Sequence, residues 1–256
     1  PLVRIGQDFF PATWPDAHRQ IASRLKNIPS GQTAIIGSGR MTNEELFLLK
    51  QLAEELGQGP LDIVPRPGQA DGFLRCDDLN PNTRGAELLG VSQGGTTLAT
   101  LPELIRTGKL KALLLFHEDA TTFGLTPELL RQLDLIVLVT LLPNFTSETA
   151  HFVLPAAGFA EKRGSMINIH GRLQRLNQAV QPPGRALADW EILRDLRYAT
   201  TGGNGITSIE DVFRALSTHL PALTGLNLSK IGSLGIDLNL PPPSRSTSPA
   251  QLSATS

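Results

Sequence analysis

The chain has 256 residues, between one and two domains at about 150 residues each, which is enough to bury a core without disulfides or metals. Lys and Arg number 23 against 24 Asp and Glu, so a basic nucleic-acid face is not expected. The single cysteine, Cys76, excludes a disulfide framework and any zinc or iron–sulfur site built from several thiolates of this chain, and it fits a reducing compartment.

No apolar run reaches the roughly 18 residues of a membrane span. The start, Pro1-Leu2-Val3-Arg4, has neither an initiator Met nor an apolar leader, so a piece of a longer product is expected. Trp14, Ala17, Ile21, Leu25 and Ile28 recur at spacings of three and four after Thr13 and Pro15, predicting an amphipathic helix over 14–28. Thr33 to Ile36 reads as a buried strand, and the turn Gly37 to Arg40 leads into a helix over 43–56. Thr42 and Glu45 there form a capping box, and Met41 and Leu46 sit where a hydrophobic staple closes.

Leu61 to Val64 is a second short strand, followed by an extended loop over 65–81. A helix over 101–105 precedes Leu110 to Phe116, a nearly continuous apolar run of the kind covered on both faces in a parallel sheet. Thr126-Pro127-Glu128 starts another helix, Leu135 to Leu142 is the next strand, and Phe152 to Leu154 closes the series. Strands alternating with helices predict an α/β fold, an open and mostly parallel Rossmann-like sheet with helices on both faces. Helices over 189–199 and 209–220 follow, the second capped by Ser208 with Asp211. The polar, Pro-rich stretch from 238 is too poor in apolar area to offset ordering entropy. The expected division is an α/β domain over 1–200, a helical extension over 201–237 and a flexible tail over 238–256.

In such sheets ligands lie where loops leave the carboxyl ends of the strands, which singles out 37–40, 117–119 and 143–148. Gly37-Ser38-Gly39 admits two readings: a backbone cradle for a phosphate, or a tight strand-to-helix turn. His117-Glu118-Asp119 gathers an imidazole and two carboxylates, but neighbours in an extended segment point opposite ways and rarely converge on one ion. His18, His151, His170 and His219 stand isolated. No phosphate-loop lysine or H-E-x-x-H occurs.

The stretch from Phe152 to Gln174 resembles the signature of the molybdopterin oxidoreductase superfamily, with Glu161, Lys162, Gly164, Ser165, Asn168, Gly171, Arg172 and Gln174 in place. Met41 to Glu45 looks like that family's T-N-E-E helix start, Glu148-Thr149-Ala150 like its E-T-A, and Pro1 to Trp14 like the segment after its iron–sulfur subdomain. The resemblance covers about 1–196. It implies a molybdopterin-oxidoreductase-like fold, with Ser38, Arg40, Glu148, Glu161, Gly164, Asn168, Gly171 and Arg172 as cofactor-binding positions.

Against that pattern, Gly68 stands where catalytic members carry the molybdenum or tungsten ligand, and His117 to Ala120 replaces a G-x-N-P turn. Cys76 lies eight residues beyond the ligand position. With those groups lost, the chain resembles the large iron–sulfur subunit of respiratory NADH:quinone oxidoreductase (complex I). The resemblance then implies a structural module with no catalytic residue and no metal site. Its iron–sulfur clusters would lie upstream, molybdopterin would be absent, and the partners would be other subunits of the NADH dehydrogenase complex. Glu161, Arg163, Asn168 and Arg172 would fix a loop by hydrogen bonds. A place in the cytoplasm, peripheral at the inner face of the cell membrane, goes with that assignment. The alternative is a fragment of an active molybdenum or tungsten bis-pterin oxidoreductase similar to formate dehydrogenase, in which Ser38, Arg40, Glu148, Asn168 and Arg172 line a dinucleotide site. A free-standing nucleotide-binding α/β protein is the third reading.

Overall fold

The computed structural model describes residues 1–203 and 205–241. A hairpin of β1 (Leu2–Ile5) and β2 (Asp8–Pro11) comes first, then α1 (Trp14–Leu25), β3 (Thr33–Ser38), α2 (Asn43–Glu55), β4 (Leu61–Val64) and α3 (Thr83–Leu88). The chain continues through α4 (Leu101–Arg106), β5 (Ala112–Phe116), α5 (Pro127–Leu130), β6 (Leu135–Thr140) and β7 (Phe152–Pro155). A second hairpin, β8 (Gly164–Ile167) with β9 (Arg172–Leu176), precedes α6 (Asp189–Thr201), α7 (Ile209–His219) and β10 (Ile236–Asp237).

The main sheet has the order β2-β1-β7-β6-β5-β3-β4, and β3 to β7 pair in parallel. The predicted α/β architecture is therefore present. Its parallel strands are apolar throughout because both faces are covered, and the strand period of two sends alternate residues to two cores. Leu114, Phe116, Val137 and Val139 pack on the side of α1, α2, α6 and α7, while Leu113, Leu115, Ile136 and Leu138 pack beneath α4 and α5.

The helix starts follow local chemistry. Thr42 Oγ1 accepts from the Glu45 N–H, and the Glu45 carboxylate accepts from the Thr42 N–H, satisfying two backbone donors that a helix start leaves unpaired. Ser208 and Asp211 do the same for α7.

Phe152–Pro155 is the last of the parallel strands, as expected, but further strands follow it outside that series. β8 and β9 form a separate antiparallel hairpin extended by β10, and the β1–β2 hairpin adds an antiparallel edge to the main sheet. These strands are short and partly exposed, so they lack the continuous apolar run that marks a buried parallel strand. The helix predicted at 127 is a single turn, Pro127–Leu130. Residues 205–241 pack onto the same core through Val212, Phe213, Leu216, Leu228 and Ile231.

The stretch expected to be a flexible tail begins inside the structured part. The Leu238 N–H donates to the Gly171 carbonyl, and Arg84 donates to the Pro241 carbonyl. The rest of that stretch, 242–256, lies outside the described residues. No helix among the described residues is long and apolar enough to cross a membrane.

Candidate functional site

The parallel strands run in the order β4-β3-β5-β6-β7, so the connections reverse direction between β3 and β5, and the carboxyl edge at that reversal, here called the crevice, is where open α/β sheets take their ligands. Arg40 follows β3, Arg66 follows β4 and Glu118 follows β5. The Glu118 side chain is 2% exposed and stands between the two guanidinium groups, 2.7 Å from Arg66 and 3.4 Å from Arg40. Arg40 also donates to the His117 carbonyl at 2.6 Å and to Ser38 Oγ. Ser38 itself is fully buried and positions the arginine without facing the crevice.

The three residues after β5 diverge. His117 takes a left-handed φ of 59°, and its Nε2 lies 2.7 Å from Asp189 Oδ2 in the interior. Glu118 turns to the arginines, and Asp119 accepts from the Thr146 and Thr121 hydroxyls and from the Phe145 N–H. Burial opposes the Asp119 charge, but those hydrogen bonds prevail and hold its pKa below the ordinary value.

Beneath the crevice lies a buried ionic cluster. Lys162 Nζ sits 2.8 Å from both Glu45 and Asp189. Burial disfavours the Lys162 charge, but Asp189 and Glu45 outweigh it and raise its pKa above the usual lysine value. Burial likewise works against the Asp189 carboxylate, and His117 and Lys162 overcome it. Glu45, with burial as the largest influence, is raised. Next to it, burial pushes Glu44 up to about 7, although Ser165 donates to it from both N–H and hydroxyl. Sequence reasoning singled out Glu45 by its capping box, Lys162 by the family signature and His117 at the end of β5, but it missed that they meet around Asp189.

The turn at 37–40 is filled by the chain itself. A Cβ on Gly39 would lie 2.5 Å from Asn80 Cγ, and Asn80 donates to the Val64 carbonyl. The geometry therefore carries the tight-turn reading, with glycine needed for the approach of Asn80. Glu148 is exposed beside a cavity of about 530 Å³ lined by Phe9, Asp119, Pro143, Asn144, Phe145 and Ser147.

The remaining candidate positions lie elsewhere. Glu161 accepts from the Gly158 N–H, Arg163 pairs with Glu210, and Asn168 accepts from the His170 and Arg172 N–H groups across the β8–β9 turn. Arg172 pairs with Asp237, and Gly171 has a φ of 78° in the same turn. Gly164 abuts Thr42. The structure thus brings Arg40 to the crevice with Ser38 buried behind it, puts Glu148 at the neighbouring cavity, and holds Asn168, Gly171 and Arg172 on a separate hairpin. Glu118 was singled out in the sequence with His117 and Asp119, and Arg66 belongs to the segment that ends at Gly68, but neither was expected to meet Arg40 at the crevice.

The chain belongs to the molybdopterin oxidoreductase family, whose model matches residues 1–65 and 79–198. Among curated relatives, it is 30% identical over 201 residues to the F420-dependent formate dehydrogenase subunit alpha of Methanocaldococcus jannaschii, covering 70% of this chain and 28% of that one. It is 30% identical over 172 residues to the assimilatory nitrate reductase catalytic subunit of Bacillus subtilis, covering 62% and 24% respectively. It is 32% identical over 169 residues to the NADPH-Fe(3+) oxidoreductase subunit alpha of Geobacter sulfurreducens, covering 64% and 20%. The chain thus spans about a quarter of the length of these relatives.

These matches overturn the assignment to an NADH:quinone oxidoreductase module. That assignment rested on the replaced G-x-N-P turn and on Gly68 standing at a metal-ligand position, and Gly68 falls within 66–78, the stretch that the family model does not match. A glycine with no counterpart in the family pattern is no record of a lost ligand.

The family implies a molybdopterin group carrying phosphates and a metal. For the phosphates, the crevice offers two guanidinium groups, and Arg66 Nε is buried without a hydrogen-bond partner. No three His, Cys, Asp or Glu side chains among the described residues are placed to hold an ion. The donor set fits the phosphate part of such a group.

Proposed function

We propose that the chain is a segment of a molybdenum- or tungsten-dependent oxidoreductase of the formate dehydrogenase kind. The observation that carries this reading is the convergence of Arg40 and Arg66 on one point of the carboxyl edge, at the crossover between β3 and β5, in a chain of this family. When bound, the molybdopterin group supplies the redox chemistry.

The residues of this chain bind and orient. Arg40 and Arg66 hold phosphate oxygens, and a forked guanidinium does so with more directional control than an ammonium. Ser38 and the His117 carbonyl fix the Arg40 side chain. The cavity between Phe9 and Phe145, with Asp119, Asn144 and Glu148 at its walls, offers apolar faces and hydrogen-bond acceptors to a planar heterocycle.

The test is the metal content and formate-dependent dye reduction of the full-length protein purified from its own host. About one molybdenum or tungsten per chain is expected, falling at least several-fold in Arg66→Ala. Iron with neither heavier metal, or undiminished metal in Arg66→Ala, would overturn the proposal.

A further inference from the structure

A carboxylate that is almost wholly buried between two half-exposed arginines is an unusual use of charge. The Arg40 and Arg66 side chains are 48% and 40% exposed, whereas that of Glu118 is 2% exposed. An ordinary surface pair would leave all three groups in water and would be worth little. Here the main chain at Glu118 is held in place from behind, while its carboxylate touches only the two arginines among the described residues. Its carbonyl accepts from Asn144 Nδ2, and the residue before it is locked in a left-handed turn by the bond of His117 to Asp189. Backbone strain of that kind persists only where the surroundings enforce it.

The Glu118 oxygens thus occupy the point on which both guanidinium groups converge. The trio carries two positive charges and one negative, leaving one unit of positive charge uncompensated at the crevice. Arg66 Nε, buried and unpartnered, is a donor that the carboxylate does not satisfy. A phosphate oxyanion has more charge and more acceptor oxygens than a carboxylate, and two arginines can each bind it in a fork.

We propose that Glu118 is an internal counter-anion occupying the place of a phosphate between Arg40 and Arg66, and that a diphosphate binds by displacing it. The carboxylate keeps the two arginines converged and paired while the crevice lacks ligand, so they neither repel each other nor splay into solvent. Its cost is affinity, because the incoming phosphate must outcompete a local anion. The choice of ligand rests on the function proposed above, but the displacement is read without any metal.

The test uses full-length protein produced in a host unable to make molybdopterin, titrated calorimetrically with inorganic pyrophosphate at low salt. Glu118→Gln, which keeps the shape and removes the charge, is expected to bind at least about tenfold more tightly than the wild type, and adding Arg66→Ala should abolish the gain. Equal affinity in a folded Glu118→Gln protein, or a gain that survives Arg66→Ala, would overturn the proposal. Should Glu118→Gln fail to fold, the wild type decides. Pyrophosphate at 10 mM is expected to raise its Tm above that in chloride of equal ionic strength, and no rise would overturn the proposal. A gain in Glu118→Gln with no molybdenum or tungsten in the native protein would keep the counter-anion and discard the oxidoreductase assignment.

Discussion

Lys162 Nζ lies 2.8 Å from Asp189 Oδ2 with both side chains buried, and this one contact ties the segment after β7 to the first residue of α6. Glu45, at the start of α2, shares the same ammonium, so three separate pieces of chain meet on one cation directly beneath the crevice. His117 joins from the end of β5 through the same Asp189 oxygen.

Removing the cation should therefore be costly. Lys162→Met leaves Asp189 and Glu45 buried without their partner, and the loss of one member of a buried ion pair costs about 3–5 kcal/mol. Urea denaturation is expected to show a loss of that size. Adding Asp189→Asn to Lys162→Met should cost less than the sum of the single changes, because one stranded charge is removed with it. Strict additivity would show that the two side chains do not act as a pair.

Glu44 makes the stability depend on pH in a definite direction. Burial raises its pKa from 4.5 to about 7, so the folded chain holds this proton more tightly than the unfolded chain. Below pH 4.5 both states are protonated and Glu44 contributes no pH dependence. Between about 4.5 and 7 stability falls as pH rises, and above 7 the full penalty of about 3 kcal/mol remains. Glu44→Gln mimics the protonated side chain. The stability of Glu44→Gln relative to wild type is expected to rise by that order between pH 5 and pH 8, and an unchanged difference would show that Glu44 titrates normally.

The contact of β8 with the start of α2 is equally specific. A Cβ on Gly164 would lie 2.6 Å from Thr42 Cγ2 and 2.9 Å from Glu44 Oε2, so Gly164→Ala must push the hairpin off the helix. Overpacking of this kind costs about 1–3 kcal/mol. Gly232→Ala, with no atom within 4 Å of its Cβ and no positive φ, is expected to change stability by less than about 0.5 kcal/mol. Thermal melts of the two variants compare them directly, and equal effects would contradict the packing.

The strands that the sequence made legible are those whose two faces are both buried. Ala112–Phe116 and Leu135–Thr140 are apolar at nearly every position, a pattern that needs no knowledge of neighbours. The Thr42–Glu45 capping box was equally visible, because its partners lie three residues apart. β8 and β9 were not, since their burial is mixed and their pairing is set by the turn at Asn168 and by contacts with α2 and α3.

At the crevice, the sequence by itself determined Arg40, placed after β3 by a local strand-to-helix signal, and the family signature from Phe152 to Gln174. Only the tertiary structure decided what Arg40 meets. Glu118 is 78 residues away from it, and Arg66 is 52 residues from Glu118, so no local period links them. They converge because β4, β3 and β5 lie side by side in parallel and deliver their next residues to the same edge. Separation along the chain carries no penalty once the sheet has formed, and the sheet is specified by burial of its two faces rather than by the charged residues at its edge.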